Sequence, residues 1–162
     1  MARNGQAALE FLTTYGWAFL VIIVMIGALA YFGILNPSRF LPDRCTFPTE
    51  VPCRDSQITM DGAGNVNVSF VLADNLGNSI HIGAFNATFV DDNTPSNACT
   101  SDKTDVDASQ TVTISCVFPN TISSRVSKGS KAKFSVTGVY NVTSGVFQKT
   151  VDGDVYGTVQ SS

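Results

Sequence analysis

The chain is poor in the residues that carry most protein chemistry. Of its 162 residues one is histidine and one tryptophan, and only 14% are charged, with 10 Lys+Arg against 13 Asp+Glu. A single imidazole is too few for a histidine-based zinc centre, and a net charge of −3 lacks the basic surface of a general nucleic-acid binder. The four cysteines have no CxxC spacing and the serines no G-x-S-x-G context. A glycine-rich phosphate loop and a haem-attachment pair are also missing. These absences predict no enzyme, no cofactor, no metal site and no nucleic-acid partner. After Asn36 no helical period of useful length appears, so a βαβ fold finds no support.

What is present is unevenly spread. From Phe11 to Leu35 run 25 residues without a charge. As a helix they span about 38 Å, more than a hydrocarbon core of about 30 Å. Trp17, Phe19 and the run from Leu20 to Ile26 occupy every angular position, so such a helix needs lipid or protein on all sides. A cleaved secretory signal has a shorter apolar region followed by a small-residue cleavage site, which this run lacks; the segment is expected to stay in the product. Asn36-Pro37 should end the helix, because proline disfavours helical geometry in the residue before it.

One carboxylate, Glu10, stands at the start of the apolar run, where an ionisable group is costly enough to imply a role. With Gly5 and Gln6 it completes a pattern of a glycine, a glutamine and a glutamate four residues later, ahead of a long apolar helix. In this the first 40 residues or so resemble archaeal type IV pilins and other proteins with class III signal peptides. The resemblance implies that a prepilin peptidase cuts between Gly5 and Gln6 on the cytoplasmic side. Residues 1–5 would be the leader, and residues 6–35 a transmembrane helix that becomes filament core. Glu10 would then meet the new α-amino group, within or between subunits, and set axial register; opposite charges attract strongly in an apolar medium, and the helix dipole adds to this. The family also implies an assembly ATPase and a platform protein, with the precursor in the cell membrane and the product in an extracellular filament. Orientation follows from the family, because Arg3 on one side of the run and Arg39 and Arg44 on the other leave the positive-inside rule undecided.

Beyond the helix, residues 36–54 hold Pro37, Pro42, Pro48 and Pro52 and read as a stiff neck. Residues 55–162 turn to period two: Val66 to Leu72, Val112 to Phe118 and Phe134 to Val142 alternate clearly, and Ile80 to Val90 and Val146 to Val159 less regularly. Turn signals such as Asp61-Gly62, Lys128-Gly129 and Ser144-Gly145 separate them. The expectation is an α+β chain: a long N-terminal hydrophobic helix and an all-β, Ig-like sandwich head of five to seven strands, a pilin-like lollipop.

Cys45, Cys53, Cys99 and Cys116 are an even set, and in an exported domain that favours two disulfides. Three connectivities are open. We expect Cys45–Cys53, tying the neck to the head, and Cys99–Cys116, closing the acidic loop after Val90. Asn67, Asn86 and Asn141 begin glycosylation sequons, Asn67 and Asn141 on the outward face. Asp91, Asp92, Asp102, Asp105 and Asp107 crowd one region and Arg125, Lys128, Lys131 and Lys133 another. They read as solvated loops, with complementarity between neighbouring heads as the sharper alternative and metal binding by the aspartates as a lesser one. His81 has no acid, nucleophile or metal partner evident in the sequence and reads as a surface residue.

The expected function is a structural subunit that polymerises with its own copies through the helix, for adhesion to surfaces that can include glycans. Two other readings compete. One is a membrane-anchored binding module that never polymerises, and the other an archaellin-like motility subunit.

Overall fold

The computed structural model describes residues 3–32 and 41–162. The helix stop expected at Asn36-Pro37 and the first part of the neck lie outside the described residues. The chain divides into two compact units, Met1–Leu41 and Pro42–Ser162.

The first unit is built on one helix, α1 (Arg3–Tyr31). At 29 residues it is about 44 Å long, and its stretch Thr13–Tyr31 is long and apolar enough to cross a membrane by length and composition. It begins before the expected start at Gln6, so the Gly5-Gln6 junction is helical backbone in the intact chain. Its two threonines satisfy their hydroxyls inside the helix: Thr13 Oγ1 donates to the carbonyls of Leu9 and Glu10, and Thr14 Oγ1 to that of Glu10 at 2.7 Å. A polar hydroxyl paired this way adds little cost to an apolar setting.

The second unit is mostly β. Its strands are β1 (Arg44–Thr46), β2 (Cys53–Met60), β3 (Val66–Ala73), β4 (Ile80–Phe89), β5 (Thr94–Pro95), β6 (Thr100–Ser101), β7 (Asp105–Val106), β8 (Thr111–Phe118), β9 (Lys131–Val142) and β10 (Gln148–Ser161). Ten strands exceed the expected five to seven; the surplus comes from four of only two or three residues and from β2. That strand was missed because only Ile58 and Met60 of its eight residues are buried, which leaves too short an alternation to recognise. Strand β1 and the start of β2 fall in the span read as neck, and β1 pairs antiparallel with β10.

The strands join in the order β5-β4-β9-β10-β2-β3-β8-β6, with β1 on β10 and β7 on β4. All pairs are antiparallel except β10 with β2, which run parallel over Val159–Ser161. The sheet curls, as the aromatic core shows: Phe118 of β8 lies 4.8 Å from Phe134 of β9, and Phe70 of β3 lies 6.4 Å from Phe85 of β4, although neither strand pair is adjacent in the order. The two ends of the order, β5 and β6, are consecutive in the chain, so residues 94–101 close the seam of the curl. There Ser96 N–H donates to the Ala87 carbonyl on β4, and Asn97 N–H to the Val117 carbonyl on β8.

Candidate assembly helix and surface sites

On α1 the described side chains from Leu9 to Tyr31 are exposed, except for a half-buried Ala18. Trp17 and Phe19 are each 69% exposed, which for a helix of this composition leaves apolar surface on every face. Beside Gly16, whose missing Cβ has nothing within 4 Å, Phe11, Tyr15 and Phe19 border a notch of about 270 Å³. Small residues flanked by large ones are where helices approach one another in lipid. Glu10 is exposed, and its carboxylate has no ion pair or hydrogen bond among the described residues. In the intact chain it lies about two turns from the helix start, past the first turn in which the dipole acts; the dipole contribution expected for it concerns a chain that begins at Gln6. The side chain of Gln6 lies outside the described ones.

Both disulfides pair as expected, Cys45 with Cys53 and Cys99 with Cys116. The first joins β1 to β2 and the second pins the seam to the buried face of β8.

The charged groups meet partners from distant parts of the chain. Lys131 binds Asp43, whose carboxylate also accepts from the Thr158 N–H and hydroxyl; the Lys131 hydrogen bond is the main cause that holds Asp43 below the usual carboxylate range. Lys133 pairs with Asp154 at 3.1 Å and Arg125 with Asp92 at 3.8 Å. Among the acidic residues, Asp92 accepts from the Thr94 N–H and Asp102 from the Thr113 N–H, so both fix their own loops. His81 is on the surface, but it has an acid partner that the sequence did not show: the β4–β7 register sets it opposite Asp105, with Nδ1 2.8 Å from the carboxylate. That hydrogen bond lowers the Asp105 pKa. Among the described residues no three His, Cys, Asp or Glu side chains converge on a metal position.

One polar cluster runs from the interior to the surface, where Glu50 is exposed. Tyr140 is 2% exposed and donates to Glu50 at 3.2 Å. Nearby Asp74 is buried, with Oδ1 accepting from the Leu76 N–H and Oδ2 without a partner in the structure. Burial first, then the Glu50 and Asp74 carboxylates, push the phenol up to about 12. The folded state therefore keeps a proton that the unfolded chain releases near pH 10. The corresponding stability is complete below about pH 10 and falls by about 2–3 kcal/mol as pH rises toward 12. In Tyr140→Phe this alkaline decline should flatten, against a loss of about 1 kcal/mol at neutral pH from the missing hydrogen bond. Urea titrations at pH 8 and pH 11 test it; an unchanged difference between the two pH values would assign the decline to other groups.

The sequons differ in access. Asn86 is exposed on β4, whereas Asn141 on β9 is half-buried. Asn67 sits on β3 between Thr59 and Val117, and its Oδ1 is buried without a partner. Both point outward as expected, but outward on a central strand is not open. In a host that glycosylates exported chains, glycopeptide mass analysis should find Asn86 occupied and Asn67 bare; the reverse order would mean that modification precedes folding. Compared with known proteins, the chain matches no family model and no curated sequence.

Proposed function

We propose that the chain is a pilin-like structural subunit of an extracellular filament. The observation that carries this reading is α1: a 29-residue helix exposed and apolar on all described faces, with a single carboxylate near its start that has no partner among the described residues. A simple anchor needs the apolar surface but not the charge. A helix that leaves lipid for a bundle of its own copies uses both, the surface for packing and the carboxylate for register. Gly5-Gln6 is the proposed processing site, which would give Glu10 an α-amino partner four residues away. The curled sheet is proposed to be an Ig-like sandwich head: aromatic rings from its two halves meet inside, and two disulfides suit an oxidising exterior. Surface adhesion is the proposed outcome of assembly.

The test is to shear filaments from producing cells and determine the N-terminal residue of this subunit, with Glu10→Ala cells alongside. Chains that begin at Gln6 within filaments, and filaments lost or disordered in the variant, are expected. Uncut chains confined to the membrane fraction would sink the reading in favour of an anchored binding module.

A further inference from the structure

The hairpin joining β9 to β10 ends in two apolar side chains left to solvent, Val146 at 89% and Phe147 at 82% exposure. Burying an aromatic ring of this kind against another surface is favourable by a few kcal/mol. The same unit carries a matching recess. A groove of about 460 Å³ lies over Phe47, Pro48 and Gly153, rimmed by Asp152 and Asp154. Glycine is needed on its floor, since a Cβ at position 153 would fall 2.6 Å from the Phe47 ring. The knob directly precedes β10 and the groove floor lies six residues further along the extended chain, roughly 20 Å away, so no chain can fill its own groove with its own tip.

We propose that Phe147 of one copy enters the Phe47–Gly153 groove of a second copy. Charge supports the match. Lys149, two residues from the tip and exposed, has no ion pair among the described residues, and neither has Asp152 at the groove rim. The donor face is thus aromatic with a free cation, and the acceptor face aromatic with a free anion. The strand between them is open as well: from Gln148 to Gly153, β10 pairs with β9 on one edge only, and β1 first covers the other edge at Asp154. Because the two faces are different patches, each copy can give and receive once, and such a head-to-tail contact propagates from copy to copy, as an open helical filament where its rotation does not close into a ring. The contact rests on the filament reading, in which the helices already hold copies together, so that a small interface acts at high effective concentration.

The test uses the full chain in producing cells. Phe147→Cys and Pro48→Cys copies are expressed together, and a short bismaleimide is applied to membranes and to sheared filaments; the native cysteines are all in disulfides. A mixed dimer cross-linked through positions 147 and 48 is expected. Adding Lys149→Glu to the Phe147→Cys copies should cut its yield about tenfold, and adding Asp152→Lys to the Pro48→Cys copies should restore it. Abundant filaments without the mixed product would overturn this contact and leave the filament reading standing. Cross-links only between two Phe147→Cys copies would replace it with a two-fold contact, and absence of both filaments and mixed product would end both proposals.

Discussion

Chains in which Cys99 and Cys116 are both replaced by alanine should be less stable by about 3 kcal/mol, a loss expected of a bridge whose cysteines are 17 residues apart. With a urea dependence near 1.5 kcal/mol/M this moves the unfolding midpoint down by roughly 2 M. The consequence should be local before it is global. This bridge holds residues 94–101, which link the two ends of the sheet order, and the backbone bonds at Ser96 and Asn97 lie beside it. Cys116 is fully buried among the core side chains, so the alanine also leaves a small void. Hydrogen exchange should therefore quicken first at residues 94–101, then along the outer edges of β4 and β8, while the β2–β3 ladder stays protected. Removing Cys45–Cys53, whose cysteines are eight residues apart, should cost less, about 2.5 kcal/mol on the same model, and should loosen β1 from β10. Equal unfolding midpoints for the Cys99/Cys116 variant and the parent would show that the seam is held by strand pairing and core packing alone.

Much of this unit was legible because its long strands are wet on one face. Strand β3 alternates buried and half-buried from Val66 to Leu72, and β8 repeats the pattern from Val112 to Phe118, each with apolar residues at every second place. Nearest-neighbour disulfides were legible for the same local reason, as short loops bring cysteines together easily. What stayed hidden was set at long range. Nothing local announces that β10 changes neighbours, from β1 at Arg44–Thr46 to a parallel contact with β2 at Val159–Ser161. Two-residue strands such as β5, β6 and β7 have no period to read.

The surface sites divide the same way. The helix and Glu10 stand out from composition alone, since an uncharged run with one carboxylate at its head needs no tertiary context. Pairings did not. His81 and Asp105 are 24 residues apart and meet only through strand register, and Lys131 reaches Asp43 across 88 residues. Alternation also overstated the access of Asn67. It gives the side of the sheet a residue occupies, but the residues on β2 and β8 beside it decide how much of that side is open.

The other large effect should come from one added methyl group. Gly138 lies on the core side of β9, opposite Phe85 of β4, just past an irregularity in the ladder between Ile82 and Phe85. A Cβ built at Gly138 would sit 2.2–2.5 Å from three carbons of the Phe85 ring. The reason for glycine here is space and not backbone conformation, for Gly138 is not among the glycines with positive φ. Phe85 cannot easily yield: it is 4% exposed and packs toward Phe70, which is itself fully buried. Gly138→Ala should therefore destabilise by about 2–3 kcal/mol as an overpacked site, and Gly138→Val by more. Gly62→Ala is the control, because nothing lies within 4 Å of its added Cβ and it should change stability little. Phe85→Ala alone should cost about 3–5 kcal/mol through the cavity it leaves. In the double variant the new methyl group enters that cavity, so the total should fall short of the sum by about 1–2 kcal/mol. Costs that simply add would mean that ring and glycine do not compete for the same space, and the close packing of β4 against β9 would then need another cause.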